Sequence, residues 1–427
     1  MNEPIFIARQ DTLEQEILPA HWLAQYKLFG EESYTFQDKG IWKKLCMSRA
    51  AANDRDMHAE ALEEMLTTFS AEHTGKWMLL VYGMDAAALE GLATMAAIAA
   101  NGTAMGAVAD NALLMHAIAN SETAMQRIAN SQTAMQRVAN NRGAMDAIGR
   151  SRIARDAVQA SPYYNSCIKE NDMAIAKLAV ALANLESAGY SGMAGVAADS
   201  TAMTAVAASA TAMTAVAASS VARNAISASP YYDEKIKEND MAIAKLVVGF
   251  ANLASANYSS MAGVVADATA MTAVAASSTA MTAVAASGVA LKAIAQAYKK
   301  TANMLQFLKA VNASDTLVKR IYSTLTNATA LFGAAQLGSQ DSVENANSWA
   351  TTSAAPNAFL ACACGYYGSS SDSVSVTYNG TVIAQKKTGT KQPGSVASTN
   401  VNAITMAPST FTENGDGYLA VQKFTAK

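Results

Sequence analysis

Histidine, cysteine and clustered carboxylates are the side chains here with the widest chemical repertoire, and their spacing gives them little to do. His21, His58 and His73 lie before residue 90, and the four cysteines stand at 46, 167, 362 and 364. His58 with Glu60 and Glu63 brings an imidazole and carboxylates to one stretch of helix, as a metal site would. No HExxH or related spacing joins them, so surface helix polarity is the plainer expectation. Cys362 and Cys364 form a lone CxC, expected as two small buried residues, with no four-ligand zinc spacing and no disulfide framework. The chain has no GxSxG, no GxxxxGK and no CxxC. Glu170 and Asp172 recur as Glu238 and Asp240, and two near-identical acid patches suit helix capping and solvation better than catalysis. The expectation is a protein that is not an enzyme and holds no cofactor or metal.

Recognition chemistry has better candidates near the C-terminus. Tyr366, Tyr367, Tyr378, Asn379 and Tyr418 combine aromatic rings with a turn amide, a mixture suited to a carbohydrate or protein surface. The competing expectation is that Tyr378 belongs to a core and that Asn379 is there for its turn. "SVSVTYNGTVIAQKK" alternates at Val374, Val376 and Tyr378, and Asn379-Gly380 is a strong type I′ hairpin signal. "GDGYLAVQKFTA" reads as a further strand. A small β domain is therefore expected over residues 345–427.

The elements that carry these residues are organised by repetition. Met95, Met105, Met115, Met125, Met135 and Met145 are ten residues apart, each followed three positions later by Ile or Val. After an interruption beginning "SPYYNSCIKENDMAIAKL", the rhythm resumes at Met193, Met203 and Met213. The interruption and the decapeptides after it return at an offset of 68 residues, so that Ser161 maps to Ser229 and Met193 to Met261. Arg155 and Arg223 take the methionine place in their units.

A ten-residue period rotates an ideal continuous helix by about −80° per unit, so the methionines would spiral and make no seam. Alanine is a weak strand former, which argues against a β-solenoid. Short helices separated by tight turns fit. In "SETAMQRIAN", Ser121 or Asn120 caps the start, Ala124, Met125 and Ile128 form the apolar face, and Asn130 ends the turn in left-handed geometry. Such helices are unstable alone and must stack on their neighbours. The expected fold is mainly α: an elongated α-solenoid of ten-residue units over 91–296, with super-repeats 161–228 and 229–296. A compact helical attachment domain (1–90) precedes it. A helical neck and linker (297–344) and the β domain come after it. The methionines and their β-branched partners should point into one buried seam. The Tyr163-Tyr164 and Tyr231-Tyr232 pairs are expected at corners of the packing.

Composition narrows the function class. Charged residues make up 15% of the chain and the formal net charge is −3, which offers no basic stripe for nucleic acid. The N-terminal "MNEPIFIARQ" lacks a basic segment followed by an apolar run, so no signal peptide is expected. The Ala-rich runs are interrupted by Ser, Thr, Asn or Asp every ten residues, so no membrane span is expected either.

Decapeptide runs of the form "STAMTAVAAS" with "SPYY" interruptions resemble the Ala/Met-rich repeats of tailed-bacteriophage virion proteins, of the tail-fibre, baseplate or minor structural kind. The resemblance covers about residues 91–296. It implies a structural component made in the host cytoplasm and incorporated into the virion, with other virion proteins as partners. It also implies a homo-oligomer, with a trimer favoured, and a host-surface glycan or protein as a further partner. The alternative is a bacterial surface adhesin or scaffolding repeat protein.

Overall fold

The computed structural model describes residues 71–340, 348–351, 357–366, 373–387, 395–406, 409–414 and 417–427, together with 58, 59, 62, 63, 66 and 67. The protein is mainly helical, with a small β region near the C-terminus. The chain divides into two compact units, Met1–Ala202 and Met203–Lys427.

The decapeptide is a capped helix of two turns. Ser121 Oγ accepts from the Ala124 amide at 3.1 Å and starts the helix Glu122–Ala129. Ser131, Asn141 and Ser151 start the next three helices in the same way. Each cap residue satisfies an amide that the helix itself leaves without a partner. In many units a single residue both closes one helix and opens the next. Ser277, at φ −98° and ψ 112°, donates its amide to Val274 O, while its hydroxyl accepts from Ala280 N. One extended residue therefore turns the axis sharply, and Ala268–Ala276 and Ser278–Ala286 are bent by 102°.

Asn130 differs from its expectation. Its φ is −89°, so the turn it ends is not left-handed. Left-handed asparagines close the 11-residue helices of the two interruptions instead. Asn184 (φ 59°) follows Asp172–Leu182, and Asn252 (φ 57°) follows Asp240–Phe250. Leu185 N reaches back to Val180 O and Asn184 N to Ala181 O, the paired bonds of a Schellman closure, and Leu253 and Asn252 repeat it.

In the first unit each helix packs on the third one along. Gly102–Asp110 lies against Gln132–Ala139, Ala112–Ala119 against Arg142–Arg150, and Glu122–Ala129 against Arg152–Ala160. The cap hydroxyls tie these layers together. Ser131 Oγ donates to Ala99 O at 2.6 Å, Ser151 Oγ to Ala119 O and Ser161 Oγ to Ala129 O. Asn141 Nδ2 donates to Asp110 Oδ1 at 2.7 Å and Asn171 Nδ2 to Asn140 Oδ1 at 2.9 Å. The second unit packs alike: Asp240–Phe250 touches Ala210–Ala218 on one side and Ser278–Ala286 on the other. Every repeat methionine from Met95 to Met145 is buried, as are Met193, Met203, Met213, Met261, Met271 and Met281, with their Ile and Val partners. The burial expected of these residues is observed, with two separate hydrophobic clusters, one ending at Leu178 and the other beginning at Ile243. Arg155 and Arg223, which replace the methionine, donate to the carbonyls of Gly149 and Ala217, six residues earlier.

The double use of a cap serine such as Ser151 gives a testable consequence. Ser151→Ala removes a buried cap and a buried interlayer bond at once, and should lower stability by about 2 kcal/mol in denaturant unfolding. A cost like that of an exposed serine would show that the interlayer bond contributes nothing.

Among the described residues, eight strands form two four-stranded antiparallel sheets, in the orders β1-β8-β3-β6 and β2-β7-β4-β5. They are β1 Phe332–Gln340, β2 Ser348–Thr351, β3 Ala358–Tyr366, β4 Ser373–Tyr378, β5 Thr381–Lys387, β6 Val401–Met406, β7 Ser409–Asn414 and β8 Gly417–Ala426. The β region thus starts at Phe332, inside the stretch expected to be neck and linker. β1 is rich in small residues with no clean alternation, and its pairing with β8 rather than its own pattern makes it a strand. Nor is the β region a separate body. One hydrophobic core runs from Ile243 through Phe307 and Tyr322 to Phe359, Phe411 and Phe424. Asn312, buried on Thr301–Asn312, donates to Ile404 O at 2.7 Å and accepts from Ile404 N at 3.0 Å, locking helix to strand.

Candidate recognition surface

The β4–β5 hairpin is as its sequence implies. Asn379 (φ 46°) and Gly380 (φ 77°) both occupy the left-handed region that a type I′ turn requires, and both are exposed. Tyr378, one residue earlier, is fully buried. Its hydroxyl donates to Tyr298 O at 3.5 Å, and burial pushes its pKa above the ordinary phenol value. It is therefore removed from the candidate surface: alternation points its ring to the core face. Tyr366 and Tyr418 lie in the other sheet, paired with Gly417 and Gly365. Tyr367 lies outside the described residues, as do the side chains of Tyr366 and Tyr418. The structure thus leaves the hairpin tip, Asn379-Gly380, as the exposed remainder. To it the structure adds Val382 on β5, an apolar side chain 54% exposed that was not singled out from the sequence. Its signal was its place, four residues after Tyr378 across a two-residue turn.

The histidine and carboxylate candidates are occupied by structural work. His58 is buried, contrary to the surface expectation, and its Nδ1 lies 3.1 Å from Tyr82 Oη. Glu63 accepts from Ser121 Oγ, from Thr123 N at 3.1 Å and from Thr123 Oγ1 at 2.6 Å, so it completes the cap of Glu122–Ala129. Glu60 lies outside the described residues. Among those described, no three His, Cys, Asp or Glu are placed to share a metal ion. Cys167 and Cys362 are buried. Asp172 and Asp240 accept from Met193 N and Met261 N at 2.8 Å, capping the helices that follow each interruption. Glu238 accepts from Gly288 N and Val289 N. Tyr163, Tyr164, Tyr231 and Tyr232 are half-buried. Burial, with the neighbouring Glu170 carboxylate, raises the Tyr164 pKa to about 12.

Two further carboxylates pair with tyrosines. Tyr190 Oη donates to Asp199 Oδ2 at 2.9 Å and Tyr258 Oη to Asp267 Oδ2 at 2.7 Å. Bonds from the Ala202 amide and from Tyr190 hold Asp199 below its ordinary value, and those from Tyr258 and the Ala270 amide do the same for Asp267. A carboxylate depressed by folding contributes stability above its unfolded pKa of about 3.8 and loses it as pH falls through the lower folded value. Thermal unfolding of the full chain should therefore steepen in its pH dependence below about pH 4, where unfolded-state carboxylates protonate. Asp199→Asn with Asp267→Asn should keep the caps and flatten that dependence. An unchanged slope would show that these two aspartates do not govern it.

Two mixed-charge grooves border the interruptions. One, of about 690 Å³, is lined by Asp110, Arg137, Asn141 and Glu170. The other, of about 940 Å³, is lined by Asp233, Lys237, Glu238, Lys319 and Arg320. No single helix among the described residues is long and apolar enough to cross a membrane. No protein-family model matches the chain, and no curated protein matches it in sequence.

Proposed function

We propose that this chain is a structural component of a bacteriophage virion, tail-fibre or baseplate-associated, whose decapeptide helices form an elongated α-solenoid. The observation that carries the reading is the use of the repeat's polar residues. Cap hydroxyls and amides are committed to helix starts and to carbonyls of the layer below, 32 residues earlier for Ser131, Ser151 and Ser161. Side chains engaged this way build a framework. The Ala/Met decapeptides supply the link to virion proteins. Other virion proteins, and further copies of the chain in a closed oligomer with a trimer favoured, are the proposed partners.

Host recognition, in this reading, falls to the β4–β5 hairpin tip with Asn379 and Val382, because exposed turns vary without disturbing a scaffold. Mass spectrometry and cryo-EM of virus particles purified from the source that carries the gene are the test. The expected result is the chain at fixed stoichiometry in the particle with the hairpin facing outward. A chain absent from purified particles and found on the bacterial surface would replace this reading with a cell-surface adhesin. Particles carrying Val382→Ser with Asn379→Ala should adsorb to host cells more slowly. Unchanged adsorption would remove the hairpin from host recognition.

A further inference from the structure

We propose that Lys245 and Ser255 bind a small monovalent anion of the chloride class, at the place where the first copy of the 68-residue repeat puts a carboxylate of its own. The two copies serve as each other's reference. In the first, Asp146 Oδ1 accepts from Lys177 Nζ at 2.5 Å and from Ser187 Oγ at 3.0 Å, and Lys177 Nζ also donates to Ser187 O at 3.0 Å. Lys177 is wholly buried, while the Asp146 side chain keeps 16% exposure. The carboxylate therefore sits at the solvent edge of a buried ammonium.

The second copy keeps the donors and lacks the acceptor. Lys245 is buried and donates to Ser255 O at 3.0 Å and Ala256 O at 3.4 Å, as Lys177 does to Ser187. Ser255 Oγ is buried with no hydrogen-bond partner. The residue matching Asp146 is Thr214, whose hydroxyl turns back to Ala210 O of its own helix at 2.8 Å. Threonine is one shell of atoms shorter than aspartate, so its side chain stops short of where Asp146 Oδ1 lies. Two carbonyls take two ammonium protons. The third ammonium proton and the Ser255 hydroxyl proton both lack an acceptor, and the buried positive charge beside them favours an anion in that role. Burial holds the Lys245 pKa below its ordinary value, as expected for an ammonium without a carboxylate beside it. By analogy with Asp146, the anion enters from the solvent edge without opening the fold.

The test is thermal unfolding of the full chain in sodium chloride and in sodium gluconate at equal ionic strength, with chloride as the probe and gluconate too large for the place. Wild-type protein should melt about 2–4 °C higher in chloride, because an anion bound only by the folded state stabilises it. Thr214→Asp, which supplies the carboxylate internally, and Lys245→Met, which removes the charge, should each abolish the difference. Chloride NMR lines should broaden with wild type and not with Thr214→Asp. Equal melting in both salts for wild type, or an undiminished chloride shift in both variants, overturns the proposal.

Discussion

Gly249→Ala should lower stability by about 2–3 kcal/mol, and Ala217→Gly in the same chain should recover the part of the loss that comes from the Ala217 methyl. Gly249 lies where Asp240–Phe250 crosses Ala210–Ala218. A methyl group there would press into the carbonyl oxygen and side chain of Ala217. The first copy solves the same crossing with the roles reversed. Gly149 stands at the position of Ala217, and Ala181 at that of Gly249, with a methyl on Gly149 meeting Ala181 Cβ at 3.2 Å. Each crossing thus holds one glycine and one alanine. Ala217→Gly alone should cost about 1 kcal/mol, the usual penalty for glycine inside a helix. Introduced together, the two changes recreate the first copy's pairing, so they should be strongly non-additive. Hydrogen exchange of the Asp240–Phe250 amides would localise the effect. Additive losses would show that the crossing is not what selects glycine.

Asp146→Thr should cost about 3 kcal/mol, in the range found when a buried charge loses its partner. It strands Lys177, which is fully buried, and leaves Ser187 Oγ without the acceptor it uses. Lys177→Met added to Asp146→Thr should restore much of the loss, since a buried apolar chain of similar length needs no counter-charge. The converse, Thr214→Asp, should raise stability by about 1–2 kcal/mol by supplying an acceptor to Lys245 and Ser255 together. Denaturant unfolding followed by a probe in each unit would separate the effects, because two compact units need not unfold as one. Should Asp146→Thr prove nearly neutral, the ion pair contributes orientation and not stability.

Local features of this chain were legible because they depend on contacts a few residues apart. The Ser or Asn before many of the repeat helices marked where they start, since the cap oxygen must reach an amide two or three residues on. The ten-residue phase of Met and Ile or Val determined which face is buried, and Asn379-Gly380 determined a turn with two left-handed residues. Even the loss of Asp146 in the second copy is visible as Thr214. Its meaning is not, because the sequence does not say that Lys177 reaches across to residue 146.

Contacts between distant residues were decided by the tertiary structure. Whether a ten-residue unit packs on the next helix or the third along depends on the bend at each cap. That bend is set by one residue's φ and ψ, which serine and asparagine types do not specify. The reach of Glu63 to Ser121 and Thr123, the burial of His58 against Tyr82, and the locking of Asn312 to Ile404 all result from that packing. The β region joined the helical core for the same reason. β1 becomes a strand through its pairing with β8, and Tyr378 leaves the surface because the turn around Tyr298 lies over it. Local patterns carry the hydrogen bonds a segment makes with itself. The free energy of burying one element against another belongs to the pair and exists only once the chain has brought them together.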